Sequence, residues 1–170
     1  MVKYYNSMVV FEEIPDEITL AINITNCPCH CKGCHSQFLW EDVGMELTFE
    51  ELDRLIEEND GITCVCFMGG DSDPKYIREL ADHISSDPHK DNLKIAWYSG
   101  KDEISDEIYS VWAFDYIKVG HYDEELGGLD KETTNQKLYK VNIDERLSYK
   151  LEDITYKFWR KKYEKCDNEK

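Results

Sequence analysis

The sequence lacks several features that would assign it to a broad class. No apolar run approaches the ~18 residues that a membrane-spanning helix needs, and basic side chains are scarce, with 20 Lys and Arg against 36 Asp and Glu. The formal net charge of −16 would repel a phosphate backbone. Residues 1–6 also lack the charged head and apolar middle of a signal peptide. We therefore expect a cytoplasmic protein with no membrane span and no nucleic-acid partner.

Repeats, low-complexity segments and linkers are also absent from the sequence. Its 170 residues suit one compact domain. An apolar content of 41%, with 12% aromatic residues, is enough for a core and argues against disorder. A chain of this size needs neither disulfides nor metal merely to fold. We expect the functional domain at residues 1–147, followed by a C-terminal helix and charged tail at 148–170.

A disulfide framework is not expected, although the chain has seven cysteines. Cytosolic thiols usually stay reduced, and an odd, unevenly spaced set is a poor framework for disulfides. Four of the seven lie within eight residues, at Cys27, Cys29, Cys31 and Cys34. Such clustered thiolates favour a soft metal site, which means zinc, copper(I) or an iron–sulfur cluster.

Two kinds of metal site can be drawn from this cysteine loop. One is zinc bound by three of the cysteines and a neighbouring histidine, His30 or His35, although structural zinc usually takes two separated ligand pairs. The other uses the CxxxCxxC spacing of Cys27, Cys31 and Cys34, which offers three thiolates to a four-iron cluster that normally takes four. The fourth iron would stay open for a substrate, as the open position of catalytic zinc does. We favour the cluster, with the remaining cysteine of the loop as a non-ligand.

Apolar periodicity predicts strands that alternate with helices. Capping residues begin two of the helices, at Thr48 and at Asp73, and Pro74 occupies the first turn of the second. This alternation predicts βαβ units, an α/β fold and a parallel sheet. The expected strands are 18–25, 62–68, 93–98, 114–119 and 137–143, and the expected helices are 48–56, 73–84, 104–112 and one from 148 onward.

Polar or glycine-rich segments follow three of these strands. The cysteine loop follows the first strand, Gly69-Gly70-Asp71 follows the second and Ser99-Gly100 follows the third. The carboxyl ends of parallel strands share one edge of a sheet, where barrels and open α/β sheets build their sites. The sequence therefore predicts a site at this edge.

The CxxxCxxC motif and the glycines after the second strand resemble those of the radical S-adenosylmethionine (SAM) enzymes. Met68-Gly69-Gly70-Asp71 stands where that family has a Gly-Gly-Glu element, with Asp for Glu. A missing Cβ lets backbone approach a ligand closely, which suits that role. The resemblance implies a trimmed, partial (βα) barrel of the radical SAM type with a mainly parallel sheet.

The sequence resembles one group of this family more specifically, the small activating enzymes of anaerobic ribonucleotide reductase. It rests on Cys31-Lys32-Gly33-Cys34-His35, on the following Trp40, on residues 115–120 and on the run 133–137. Lys137 replaces the arginine that ends this run in those enzymes. The resemblance covers about residues 18–143.

This resemblance implies a radical SAM oxidoreductase that activates a glycyl-radical enzyme. A [4Fe-4S] cluster would cleave SAM reductively, and the 5′-deoxyadenosyl radical would take a hydrogen from a glycine of the partner. The implied partners are the catalytic subunit of anaerobic ribonucleotide reductase and a flavodoxin- or ferredoxin-type electron donor. Two alternatives are an activase of another glycyl-radical enzyme, of the pyruvate formate-lyase type, and a non-catalytic zinc-binding adaptor.

The resemblance also assigns the site residues, and it assigns no catalytic side chain because the cluster and SAM carry the chemistry. Cys27, Cys31 and Cys34 would hold three irons, while His35 fits either an adenine contact or a solvated loop residue. Asp71 and its preceding glycines would meet the methionyl part of SAM. The expected SAM-binding residues are Gly33, Cys34, His35, Gly69, Gly70, Asp71 and Ser99.

Three cysteines and the charged tail lie outside this assignment. Cys64 and Cys66 share one strand face, where free cysteine usually acts as a small buried hydrophobe. Cys166 is expected to be an exposed thiol. The basic run at 160–165 fits a solvated helix face, or else a docking surface for an acidic partner.

Overall fold

The computed structural model describes residues 1–103, 113–143 and 149–160. Within these ranges the chain forms one sheet of eight strands and three α-helices. The helices are α1 Phe49–Glu57, α2 Pro74–Ser85 and α3 Lys157–Arg160, with short 3-10 helices at Gln37–Leu39 and Pro88–Lys90. The strands are β1 Lys3–Val10, β2 Thr19–Ile24, β3 Met45–Glu46, β4 Cys64–Met68, β5 Lys94–Tyr98, β6 Tyr116–Val119, β7 Lys137–Ile143 and β8 Tyr149–Asp153.

The sheet is mixed, so the prediction of a partial (βα) barrel with a mainly parallel sheet is wrong. The strand order is β3-β1-β2-β4-β5-β6-β7-β8, and β2, β4, β5 and β6 are parallel neighbours. On one side β1 and β3 add antiparallel pairings, and on the other β7 and β8 do the same. The described part of the chain is therefore mostly sheet, with few helices, rather than a helix-rich barrel.

The predicted strands do not include β1 or β8, and the reasons are identifiable. In β1 the register shifts between Tyr4 and Asn6, and this irregularity breaks the period-two alternation that marks a strand. In β8 Tyr149 and Leu151 pack against the core on alternate positions, so the segment is a strand where the sequence predicts the start of a C-terminal helix. Only Lys157–Arg160 is helical within the described residues of this region.

Most other elements follow the predicted pattern. The Thr48 Oγ1 accepts a hydrogen bond from the Glu51 N–H at 3.2 Å and caps α1. The Asp73 carboxylate accepts one from the Tyr76 N–H at 3.2 Å and caps α2. These contacts satisfy backbone donors that a helix N-terminus leaves unpaired. The predicted helix at 104–112 lies outside the described residues.

Both faces of the sheet are buried. Helices α1 and α2 cover one face, where Phe67 and Trp97 belong to the larger core. The opposite face carries a smaller core that includes Cys64, Cys66 and Ile154. Burial raises the pKa of the Cys64 and Cys66 thiols, so both stay protonated as small hydrophobes.

Several predictions lie partly beyond the described residues. Cys166 and most of the basic run at 160–165 are outside them, and the division at residue 147 stays a prediction. Within the described ranges, no helix combines the length and apolarity needed to cross a bilayer.

Candidate metal centre

The carboxyl ends of the parallel strands meet at one edge of the sheet. The cysteine loop follows β2, the two glycines follow β4 and Ser99 follows β5. Hydrogen bonds link neighbouring strand ends, from the Gly69 N–H to the Tyr98 carbonyl and from the Ser99 N–H to the Lys118 carbonyl, both at 2.9 Å. The structure therefore gathers the predicted segments at the predicted edge.

Asp71 connects three of these segments. Its side chain is buried, with 8% exposed, and one carboxylate oxygen accepts a hydrogen bond from the Ser99 hydroxyl at 2.5 Å. The other accepts one from the Gly100 N–H at 2.7 Å and lies 3.8 Å from the Cys29 Sγ. Asp71 thus holds the end of β5 and faces the cysteine loop.

The two glycines before Asp71 are required by the backbone. Gly69 and Gly70 have φ values of 103° and 97°, a region that side chains disfavour. A Cβ on Gly70 would also lie 2.4 Å from the Ile77 Cδ1 of α2. The packing of α2 against the sheet therefore accounts for Gly70 independently of any ligand.

The cysteine loop is tightly turned. Asn26, His30 and Gly33 all have positive φ, at 60°, 44° and 73°. The loop is held by hydrogen bonds from the Cys27 N–H to the Leu39 carbonyl and from the Cys34 N–H to the Cys31 carbonyl. The His30 ring also stacks on the Trp40 ring with a centroid distance of 4.8 Å, which gives Trp40 a structural role in the loop.

The four thiols of this loop are partly buried and form no disulfide. A hydrogen bond from Cys29 lowers the pKa of Cys27 to about 6, although burial opposes the shift. The same bond raises the pKa of Cys29, as do burial and the nearby Asp71 carboxylate. The lowered pKa favours the thiolate of Cys27, which is the form that binds metal. Cys29 acts as its hydrogen-bond donor, a role that the spacing does not reveal.

The donor set of the loop fits an iron–sulfur cluster. Among the described residues, no three His, Cys, Asp or Glu side chains converge on a point where one metal ion would sit. A four-iron cluster does not need three side chains around a single ion, because each thiolate binds its own iron. Cys27, Cys31 and Cys34 are all half-buried free thiols on one turned loop.

A second loop packs against the cysteine loop. Residues 121–125 line a cavity of about 380 Å³ together with Cys29, Cys31 and Lys32. Glu124 forms an ion pair with Lys32, and a Cβ on Gly33 would lie 2.6 Å from the Glu124 Oε2. Gly33 is needed here both for its positive φ and for this close packing.

The predicted SAM-binding residues thus fall on two sides of the cysteine loop. Asp71 and Ser99 lie at the strand ends, whereas Gly33 and His35 face the 121–125 loop, where the Tyr122 Oη is 3.3 Å from the His35 Nε2. Cys29 reaches both sides, because it approaches Asp71 and also lines the cavity. The roles assigned to these residues in SAM binding stay predictions.

Lys118 is a residue of this region that the sequence reasoning overlooks. Its ammonium donates hydrogen bonds to the Gly120 carbonyl at 2.7 Å and to the Ser99 carbonyl at 3.4 Å. The signal for it is a lysine within the apolar strand Tyr116–Val119, whose four residues are all buried. A charge in such a strand needs a specific reason.

A comparison with known protein families agrees with this donor set. The family model described as a 4Fe-4S single cluster domain matches residues 18–162, a span that includes the cysteine loop and strands β2 to β8. No curated protein and no solved structure matches the chain. The chain therefore belongs to the 4Fe-4S single cluster domain family and is an iron–sulfur protein.

Proposed function

We propose that this protein is a radical SAM enzyme that generates a glycyl radical on anaerobic ribonucleotide reductase. The observation that carries the proposal is the CxxxCxxC spacing of Cys27, Cys31 and Cys34 in an iron–sulfur protein, on a loop that follows a parallel strand. Three protein thiolates leave one position of a four-iron cluster for a substrate. Membership of an iron–sulfur family is also compatible with a redox enzyme.

The protein's own residues hold and orient the bound groups. When bound, the cluster and SAM supply the electron transfer and the radical chemistry. Cys27, Cys31 and Cys34 would hold the cluster, and the lowered pKa of Cys27 favours its binding form. Asp71 positions Ser99 at the strand ends, where we place the methionyl part and the ribose or carboxylate of SAM.

The cavity beside the cysteine loop supports SAM as the substrate. SAM carries a sulfonium and an ammonium against one carboxylate, so its net charge is positive. The cavity is lined by Asp123, Glu124 and Glu125 together with Lys32, which pairs with Glu124, and the excess of carboxylates favours a cationic ligand. Gly33 and His35, which we assign to the adenine, pack against the same loop.

The activase-like run at 133–137 supports the same assignment. The Asn135 amide donates to the His121 carbonyl at 2.9 Å, and the Thr134 hydroxyl donates to the Gly127 carbonyl at 3.1 Å. This run thereby anchors the loop that lines the cavity. We propose the catalytic subunit of anaerobic ribonucleotide reductase as the protein substrate and a flavodoxin- or ferredoxin-type protein as the electron donor.

The proposal is tested by reductive SAM cleavage after anaerobic reconstitution. We expect about four irons and four sulfides per chain and 5′-deoxyadenosine once dithionite is added. Cys27→Ala and Cys31→Ala should abolish product formation, because each removes a cluster ligand. Cys29→Ala is the matched control and should keep substantial activity. A glycyl-radical signal on the added reductase subunit should appear in the electron paramagnetic resonance (EPR) spectrum.

Three outcomes would contradict parts of this proposal. One zinc per chain with no SAM cleavage would favour the zinc-binding adaptor. An inactive Cys29→Ala with an active Cys27→Ala would show that the ligand set is wrong. SAM cleavage with a radical on a pyruvate formate-lyase type enzyme, but none on the reductase, would change the partner.

A further inference from the structure

Lys118 is a buried cation next to the metal centre. It lies in β6, and its side chain is only 7% exposed. Strand alternation places it on the face of Tyr116, opposite the face that α1 and α2 cover. An ammonium taken out of water is costly unless an opposite charge compensates it.

The described residues supply Lys118 with neutral partners. Its ammonium donates to the carbonyl oxygens of Gly120 and Ser99 and lies 6.0 Å from the centre of the Tyr98 ring. Within the described ranges, no Asp or Glu forms an ion pair with it. Burial lowers its pKa to about 8, which leaves the ammonium mostly protonated at neutral pH. The site therefore holds a positive charge that lacks a paired anion.

The strongest negative influences on Lys118 come from the metal centre, although Asp102 and Glu13 also interact with it. The negative charges that act most strongly on the pKa of Lys118 are those of Asp71 and Cys31, and the Asp102 carboxylate contributes less. A short chain of contacts leads from Lys118 to the Ser99 carbonyl, from the Ser99 hydroxyl to Asp71 and from Asp71 to the Cys29 thiol. The Lys118 ammonium thus faces the side of the site that carries negative charge.

We propose that Lys118 is the counter-cation of the iron–sulfur cluster and favours its reduced form. Three thiolates and an oxidised four-iron core together carry one net negative charge, and reduction by one electron raises this to two without a change in bonds or protons. A fixed buried ammonium stabilises the more negative form more strongly, and net charge is one of the factors that set a cluster's potential. The inference rests on the cluster and its cysteine ligands and does not require SAM.

The test is the midpoint potential of the reconstituted protein, measured by EPR-monitored titration with dithionite in the absence of SAM. We expect Lys118→Met to make reduction about tenfold less favourable, a shift of about 59 mV to more negative potential for one electron. Lys118→Gln should shift it similarly, because the amide still donates to the Gly120 carbonyl but carries no charge. Lys140→Met is the control, since Lys140 is an exposed lysine of β7 whose charge is screened by solvent.

Cluster loading and thermal unfolding are measured on the same samples. If Lys118→Met does not fold, Lys118→Gln carries the test because it keeps a hydrogen-bond donor. Unchanged potentials together with lower thermal stability would show that Lys118 is purely structural, and this overturns the proposal. An unchanged potential with weaker SAM binding would also overturn it, in favour of a contact with the SAM carboxylate. If the wild-type protein does not cleave SAM but the Lys118 variants still shift the midpoint potential, only the proposed function is contradicted.

Discussion

At the scale of single residues, the site depends on polar contacts between strand ends. The Asp71 carboxylate uses both oxygens, one for the Ser99 hydroxyl and one for the Gly100 N–H. The resemblance to radical SAM enzymes predicts Asp71 and Ser99 as ligand contacts. The structure shows in addition that they bind each other, so a substitution of either residue alters the framework of the site as well as any contact with a ligand.

We expect Asp71→Asn to lower the free energy of unfolding by about 1.5–3 kcal/mol, because it removes buried, charge-assisted hydrogen bonds. Urea denaturation of the cluster-free, reduced protein measures this loss. Ser99→Ala and the double variant complete the cycle, and contacting residues should show a coupling of about 0.5–3 kcal/mol. Strictly additive losses would contradict the contact seen in the structure.

Lys118 is a lone lysine in an apolar strand, and its role also depends on contacts that the sequence does not show. The sequence shows that Lys118 lies in β6, but the residue pattern of β6 does not indicate which groups surround its side chain. The carbonyls of Ser99 and Gly120 come from other segments. The same is true of Cys29, whose hydrogen bond to Cys27 depends on how the loop turns.

At the scale of elements, an ion-pair cluster joins α1 to α2. Asp53 of α1 contacts the His83 Nε2 of α2 at 3.0 Å and also binds Lys90, which follows α2. Burial acts to raise the pKa of Asp53, but hydrogen bonds from Lys90 and His83 outweigh it and hold that pKa below its usual range. The cluster therefore stabilises the pairing of the two helices while Asp53 is ionised.

The stabilisation by Asp53 should depend on pH. Because the folded-state pKa is lowered, its contribution is complete above the unfolded carboxyl pKa of about 4 and is lost as pH falls through the folded value. Asp53→Asn should cost less than about 1 kcal/mol at pH 7, since the side chain is 32% exposed. The gap between wild type and variant should narrow below about pH 4 in urea denaturation. Asp60→Asn, at an exposed turn, should show no such gap, and a constant gap for Asp53→Asn would contradict the ion pair.

Elements were predictable where their pattern was strong and local. The capped helices α1 and α2 and the parallel strands have caps or continuous apolar runs, and the structure contains them. Strands β1 and β8 pair antiparallel near the edges of the sheet, and β1 is interrupted by a register shift. Periodicity alone did not identify these two segments as strands, and the antiparallel pairings that they add make the sheet mixed rather than mainly parallel, so the barrel prediction failed.

At the scale of the whole molecule, the chain that follows β8 completes the second core. Ile154 is 2% exposed and belongs to the cluster on the face opposite α1 and α2, together with Ile14, which precedes β2. Segments from both ends of the chain thus cover one face of the sheet. This arrangement explains why both faces of the central strands are apolar.

We expect Ile154→Ala to lower the free energy of unfolding by about 2–5 kcal/mol, because it leaves a cavity in this core. Ile143→Ala is the matched control, since Ile143 is 51% exposed, and it should change stability by no more than about 0.5 kcal/mol. Urea denaturation of both variants measures the difference. Equal losses would show that the segment after β8 is not part of the core.

The sequence by itself predicted an iron–sulfur cluster, which the family match supports, and the place of the cysteine loop after a parallel strand. Both depend on local signals, the spacing of Cys27, Cys31 and Cys34 and the apolar run that precedes them. The tertiary structure alone decided how the 121–125 loop covers the cysteine loop and that Lys118 contacts Ser99, the partner of Asp71. These are contacts between segments far apart in the chain. The local periodicity of apolar residues does not predict which distant segments come into contact.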